Sequence, residues 1–306
     1  MDMLIWILVG AVVLVGLYLF SRRRVKHTSK REVPEYGFEI DKFQLKEYGE
    51  VEFAQWLHPK EKRKIIEDEL LGNLSKYIKP NDFVIDIGAH GGDTVIPYAL
   101  LAGTEGKVLA LEPNPYVYKI LEENAKLNPG KVNIDLEMIA ATEEDGEFVF
   151  LYSDEAFCNG GNLDSIENKT HGHRYELKIK GKNLSRLLRN EYKDRLSNLS
   201  FVKTDTEGYD KEVLESIQDI LKDFRPVVLA EVLKRLNMDE RLRMYNLMKS
   251  LNYNVYKTDA WSLEKEVELN DGNLMEWLHY DILCIPQEQD TKVAASTQKE
   301  EASAQV

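Results

Sequence analysis

Asp82–Thr94 reads DFVIDIGAHGGDT: an apolar run broken by an acid, then three glycines within five residues, ahead of a helix-forming segment. Phe83, Val84, Ile85 and Ile87 give the near-continuous apolar stretch of a strand buried on both faces of a parallel sheet. Asp86 stands at the carboxyl end of this strand. Gly88, Gly91 and Gly92 remove side chains where backbone must approach a ligand, and Asp93 or Thr94 is placed to cap the next helix. Open α/β sheets bind ligands at such strand ends, so the predicted fold is α/β, doubly wound and Rossmann-like.

The spacing distinguishes two kinds of adenosine cofactor. A dinucleotide loop is GxGxxG, with glycines around a pyrophosphate at a helix N-terminus. Here the pattern is DxGxxGG, and a carboxylate two residues before the first glycine would repel a pyrophosphate. It suits the amino and sulfonium groups of S-adenosylmethionine, with Asp86 facing the amino end of the ligand. A second strand, Lys107–Pro113 (KVLALEP), ends on Glu112, 26 residues after Asp86, where a carboxylate can grip both ribose hydroxyls. NAD sites share such an acid, so Glu112 supports an adenosine cofactor without choosing between the two.

Met3–Phe20 is 18 residues without a charge, roughly 27 Å as a helix and long enough to cross a bilayer core of about 30 Å. Asp2 precedes it and Ser21, Arg22, Arg23 and Arg24 follow, the reverse of a cleavable signal peptide, so residues 1–24 are expected to form a membrane anchor. Lys26, Lys30 and Arg31 add to the basic cluster on the carboxyl side, and the positive-inside rule places the following domain in the cytoplasm.

The composition of the 306-residue chain fits one large α/β domain with accessories. A net charge of −13, with no basic stripe beyond the N-terminal arm, argues against a nucleic-acid partner. Cys158 and Cys284, the only cysteines, stand in no CxxC or His/Cys cluster, so neither a disulfide framework nor a structural zinc site is expected. No ligand spacing demands any other metal.

Residues 25–80 are expected to form a tether and an N-terminal helical cap on a sheet edge, with Glu61–Tyr77 helical. The domain proper is placed at 81–286. Beyond Glu112, Val117, Ile120, Leu121 and Asn124 share a helix face, and Val132–Ala140 is the third strand. Leu199–Asp205 is a fourth strand ending on an acid, followed by one helix through Leu221; Pro226–Val232 is a fifth. A helix over Asp239–Leu251 leads to strands at Tyr253–Thr258 and His279–Pro286, an antiparallel pair completing a seven-stranded sheet. An insertion, about 146–180, is read as extra β structure able to cover a substrate. Residues 287–306, without aromatics, read as a disordered tail.

VIDIGAHGGDT (84–94), VLALEPNP (108–115), AATEEDGEFVF (140–150) and above all FVKTDTEGYDKEVLESI (201–217) together resemble the FkbM-type S-adenosylmethionine-dependent methyltransferases, over about Asp82–Val232. The resemblance implies the class I methyltransferase sheet and O-methylation of hydroxyls on glycans, lipid-linked compounds or other small secondary-metabolite-type acceptors. Carried over, Asp86, Gly88, Gly91 and Gly92 match the cofactor loop, Glu112 the ribose acid, and Asp205, Glu207 and Gly208 the DxEG motif. His90 stands where Asn is usual and Ser185 where an acid is common. The cofactor-binding set expected is Asp86, Gly88, His90, Gly91, Gly92, Glu112, Ala140 and Asp205.

Methyl transfer to an alcohol requires alignment and removal of a proton. The candidate catalytic groups are Asp205 and Glu207, at the end of the fourth strand, and His173 (with His171 beside it) in the insertion. Glu207 can equally cap the following helix, and a histidine in a polar loop can be solvated surface. Two other classes stay open: an NAD-dependent oxidoreductase, which lacks its GxGxxG here, and a non-catalytic membrane-tethered binding protein on the same fold. Nucleic-acid methylation is disfavoured by DTEG in place of a DPPY-type sequence.

Overall fold

The computed structural model describes residues 33–154, 156–158, 162–163 and 175–290. The expected anchor Met3–Phe20 and the candidates His171 and His173 lie outside the described residues. Among the described residues no helix is long and apolar enough to cross a membrane.

The described residues open with a hairpin, β1 (Phe38–Leu45) and β2 (Gly49–Trp56), antiparallel in the register Phe38↔Trp56 to Leu45↔Gly49. The short helix α1 (Asp68–Leu74) follows, and then β3 (Phe83–Ile87), α2 (Val95–Ala102), β4 (Lys107–Leu111), α3 (Pro115–Lys126) and β5 (Ile134–Glu137). A second group of strands comprises β6 (Ala140–Thr142), β7 (Gly146–Tyr152), β8 (Asn162–Leu163) and β9 (Tyr175–Asn183). Next come α4 (Leu184–Glu191), β10 (Leu199–Thr204), α5 (Asp210–Ser216), α6 (Gln218–Phe224) and β11 (Val227–Val232). The last elements are α7 (Met238–Ser250), β12 (Tyr253–Thr258), β13 (Val267–Glu268) and β14 (Tyr280–Pro286).

The main sheet has the order β13-β12-β14-β11-β10-β3-β4-β5, with β11, β10, β3, β4 and β5 parallel and β14 antiparallel to both β11 and β12. Without the two-residue β13 it is the seven-stranded class I methyltransferase sheet. Strand pleating divides its side chains between two cores. Phe83, Ile85 and Ile87 pack with α4 to α7 on one face, whereas Val84, Val108 and Phe201 pack with α1, α2 and the hairpin on the other.

The N-terminal cap is a β-hairpin with one short helix, and it sits on helices rather than on a sheet edge. Asn124 of α3 accepts from the Ala54 N–H (2.6 Å) and donates to the Ala54 carbonyl (3.1 Å), and Asn128 brackets Glu52 in the same way (2.8 and 2.9 Å). These two amides act as a partner strand for β2. The helix expected over Glu61–Tyr77 is confined to α1, because the Gln55 side chain binds both the N–H (2.9 Å) and the carbonyl (2.7 Å) of Lys64. The third strand stops at Glu137; Ile139 N–H turns back onto the Glu137 carbonyl (2.9 Å), and Ala140 begins a strand of the second sheet.

That second sheet, ordered β6-β9-β7-β8, takes β7, β8 and most of β9 from residues 146–180, with β6 lying before that segment. The helix after the fourth strand is two helices, broken at Ile217. The chain is helical over 287–290, where the expected tail would begin, and buried Asp290 accepts from Asn254 (2.8 Å), Tyr256 (2.6 Å) and Lys265.

Candidate active site

At the carboxyl ends of β3, β4 and β10 lies a cavity of about 260 Å³, walled by the β3–α2 loop, the turn after β10, the second sheet and the segment after the hairpin. Gly88, His90, Glu112, Ala140, Asp205 and Glu207 all line it, so six of the positions expected from sequence converge.

Gly88 has φ +82°, and a Cβ there would lie 2.0 Å from the Asp205 carbonyl oxygen, so no other residue fits between the two strand ends. Gly92 has φ +96° and faces Leu121 and Asn124 of α3, which lets the loop pack on that helix. Gly91 has only ordinary contact with Ile120 and does not line the cavity. His90, at φ +47°, projects from the loop tip with its N–H donating to Glu112 Oε2 (2.9 Å) and its Nε2 3.3 Å from the Cys158 carbonyl. Neither Asp93 nor Thr94 caps α2 through its side chain.

Asp86, expected at the ligand, does not line the cavity. It is fully buried and belongs to the face of β3 that carries Val84, so pleating turns it beneath the loop. The parallel register pairs it with Lys203 of β10, whose Nζ lies 3.2 Å from Asp86 Oδ1; the Thr94 hydroxyl donates to Asp86 Oδ2 at 2.5 Å. Lys203 also donates to the Gly88 carbonyl (2.9 Å) and stands 3.7 Å from Asp205 Oδ2. Burial alone would lower the pKa of this ammonium, but the charges of Asp86 and Asp205 outweigh burial and hold it above its ordinary value. Lys203 is therefore the cation that ties β3, the cofactor loop and the β10 end together. The sequence carried its signal, a lysine inside the apolar run LSFVKT.

Glu112 is where the ribose acid was expected, buried at the end of β4 and lining the cavity. Its two oxygens accept one backbone N–H each, from His90 and Asn114 (both 2.9 Å), which fixes the carboxylate and leaves each oxygen a second lone pair for a hydroxyl. Burial pushes its pKa up, against these hydrogen bonds. Ala140 lines the cavity beside Ile139, Phe150 and Tyr152, an apolar wall suited to a purine face.

Asp205 and Glu207 occupy the turn after β10. The Asp205 carboxylate is about half exposed, held on one side by Lys203. Glu207 sits at φ +56°, in the left-handed region that a side chain seldom adopts, and Arg235 fixes it by donating to its carbonyl. Burial, with the neighbouring Asp205 charge, pushes the Glu207 carboxyl above its ordinary value. The turn rests on fully buried Asp210, which accepts from the Thr204 hydroxyl (2.8 Å) and from the N–H groups of Thr206 (3.1 Å) and Gly208 (3.2 Å). Glu207 thus lines the cavity; α5 begins after Tyr209 without a side-chain cap, so capping is not its role.

The residues fit an adenosylmethionine better than a dinucleotide. A fixed carboxylate for the ribose, an apolar wall and a side-chain-free loop at Gly88 are all present, and carboxylates rather than phosphate-binding cations dominate the cavity's polar lining. Residues 86–255 match the family model described as the methyltransferase FkbM domain. Among solved structures, the FkbM methyltransferase from Methylobacillus flagellatus KT is similar at 10% identity over 72% of this chain, with a TM-score of 0.42. The chain covers 56% of the length of that protein.

A precorrin-6y C5,15-methyltransferase from Geobacter metallireducens GS-15 matches at 16% identity, over 76% of this chain and 94% of its own, with a TM-score of 0.40. Aeropyrum pernix fibrillarin, with natively bound S-adenosyl-L-methionine, matches at 10% identity, over 84% and 100%, with a TM-score of 0.40. Among curated proteins none matches this chain. The family match runs from the acid of β3 into β12 and takes in more than half of the 306 residues, so the chain belongs to the FkbM family of S-adenosylmethionine-dependent methyltransferases.

Proposed function

We propose that this chain is a membrane-anchored O-methyltransferase whose acceptor is a hydroxyl on a glycan, a lipid-linked compound or a similar small metabolite. The observation that carries the reading is the pair Asp205 and Glu207 at the cavity wall, one carboxylate half exposed and the other partly buried with a raised pKa.

When bound, S-adenosylmethionine supplies a sulfonium-borne methyl group for an in-line displacement. Glu207 is the proton acceptor: its raised pKa makes it a stronger base than an exposed carboxylate, and Arg235 holds its backbone in place. Asp205, oriented by Lys203, accepts a hydrogen bond from the acceptor and positions it. Glu112 binds the ribose hydroxyls.

The apolar Met3–Phe20 with its basic carboxyl flank supports a single-pass anchor with the domain on the cytoplasmic side, which raises the local concentration of a bilayer-borne acceptor. Incubating the full chain with methyl-labelled donor and lipid and glycan extracts tests the chemistry: a base-stable methyl ether is expected, and a base-labile ester or a methylamine would refute O-methylation of a hydroxyl. Protease protection in sealed vesicles tests the orientation; a domain digested only from the non-cytoplasmic side refutes it.

A further inference from the structure

One wall of the cavity carries charges that neither the ribose acid nor the acceptor carboxylates account for. Glu61 and Lys64, from the segment after the hairpin, meet Asp93 of the β3–α2 loop. Lys64 Nζ lies 3.0 Å from Glu61 Oε1 and 3.2 Å from Asp93 Oδ2. All three line the cavity together with Gly88 and Thr94. Burial tends to neutralise Lys64 and Asp93, yet each is held in its charged form by the other, Lys64 with its pKa raised and Asp93 with its pKa lowered.

The backbone of Lys64 is clamped on both sides by the Gln55 amide, and Gln55 belongs to the strand that Asn124 fastens to α3. Asn124 in turn donates to the Gly91 carbonyl (2.7 Å), so the hairpin and the cofactor loop are joined through one side chain. The triad is therefore built from two distant segments on a fixed frame. Its place is set relative to the ribose acid, because His90 stands between them: its N–H binds Glu112 and its Nε2 is 3.9 Å from Glu61 Oε2.

We infer that Glu61, Lys64 and Asp93 form the subsite for the amino-acid end of S-adenosylmethionine. Lys64 donates to the α-carboxylate; Glu61 and Asp93 accept from the α-ammonium. A lysine flanked by two carboxylates complements a zwitterion, whereas a lone lysine or a lone acid would bind one end and repel the other. Lys203, the other cavity lysine, is already committed to Asp86, the Gly88 carbonyl and Asp205. Asp86 is buried beneath the loop, so the role foreseen for it passes to residues of the hairpin segment.

Calorimetric titration of the full chain with S-adenosylmethionine, decarboxylated S-adenosylmethionine and 5′-methylthioadenosine tests this assignment. Lys64→Met is expected to weaken S-adenosylmethionine by about tenfold or more, the worth of one charge-assisted hydrogen bond, while methylthioadenosine and the decarboxylated ligand stay within about twofold. Glu61→Gln is expected to weaken both ammonium-bearing ligands and spare methylthioadenosine, and it decides the matter alone if Lys64→Met does not fold. Unchanged affinity for S-adenosylmethionine in either variant, or an equal loss for methylthioadenosine, would overturn the assignment and leave the triad a purely structural contact. A wild-type chain that binds methylthioadenosine as tightly as S-adenosylmethionine overturns it as well.

Discussion

Replacing Lys203 by methionine removes the cation beneath the cofactor loop while keeping an unbranched side chain one atom shorter. Asp86, with none of its surface exposed, is then left with the Thr94 hydroxyl as its hydrogen-bond donor, and the Gly88 carbonyl loses its 2.9 Å partner. Breaking one side of a buried ion pair costs about 3–5 kcal/mol, because the remaining charge stays desolvated. For a domain of this size that lowers the melting temperature by an amount on the order of 10 °C. The register Lys203↔Asp86 makes the cost specific to the pair, so it is expected to shrink when Asp86→Asn is added. A double-mutant cycle followed by urea unfolding measures this directly: the cost of Lys203→Met in the Asp86→Asn background should be less than half that in the wild type. Strict additivity, or a single Lys203→Met cost below about 1 kcal/mol, would refute the view that a buried ion pair holds the loop.

Gly88→Ala places a Cβ 2.0 Å from the Asp205 carbonyl at φ +82°, so the strand ends must part; a loss of at least about 2 kcal/mol in thermal unfolding and a marked drop in S-adenosylmethionine affinity by calorimetry are expected. Glu207→Gln is expected to lower turnover by about 10²–10⁴-fold with cofactor affinity unchanged, and a variant that keeps wild-type turnover excludes Glu207 as the base. The same base gives the wild type a rate that rises with pH through the raised Glu207 pKa, as the carboxylate form accumulates, and this limb is expected to vanish in the variant.

His58 is buried among Tyr36 and Trp56, and burial depresses its pKa below the ordinary 6.5. The unfolded chain therefore takes up a proton that the folded chain refuses, and stability is expected to fall as pH drops below about 6.5. All other titrating groups are common to both chains, so the wild type should lose more melting temperature between pH 7 and 5 than His58→Gln; parallel slopes would refute the assignment.

The elements legible in the sequence are those whose signal is local. The five apolar residues of β11 and the turn-bounded run of β12 announce strands by themselves, and the helix face of α3, Val117, Ile120, Leu121 and Asn124, is the face that is buried. Elements decided by distant partners were not legible. The predicted helix over Glu61–Tyr77 has helical spacing, but Gln55 captures the backbone at Lys64 and leaves only Asp68–Leu74 to form turns. The hairpin did carry a signal, alternation in EVEF after the turn at Gly49, but its burial depends on Asn124 and Asn128, which lie some 70 residues further on.

The same distinction explains the two acids of the site. Both Asp86 and Glu112 stand at strand ends, and by spacing alone either qualifies as a ligand contact. Asp86 is still inside β3, so the pleat fixes its direction toward α2, where the paired residue on β10 is a lysine. Glu112 lies one residue past β4, free of the pleat, and the N–H groups of His90 and Asn114 turn its carboxylate into the cavity. One residue of strand length thus separates an acid that builds the loop from an acid that lines the cavity. The charge complement for the ligand's amino end must then come from outside the sheet, and Glu61 and Asp93, on either side of Lys64, are the cavity carboxylates placed to supply it.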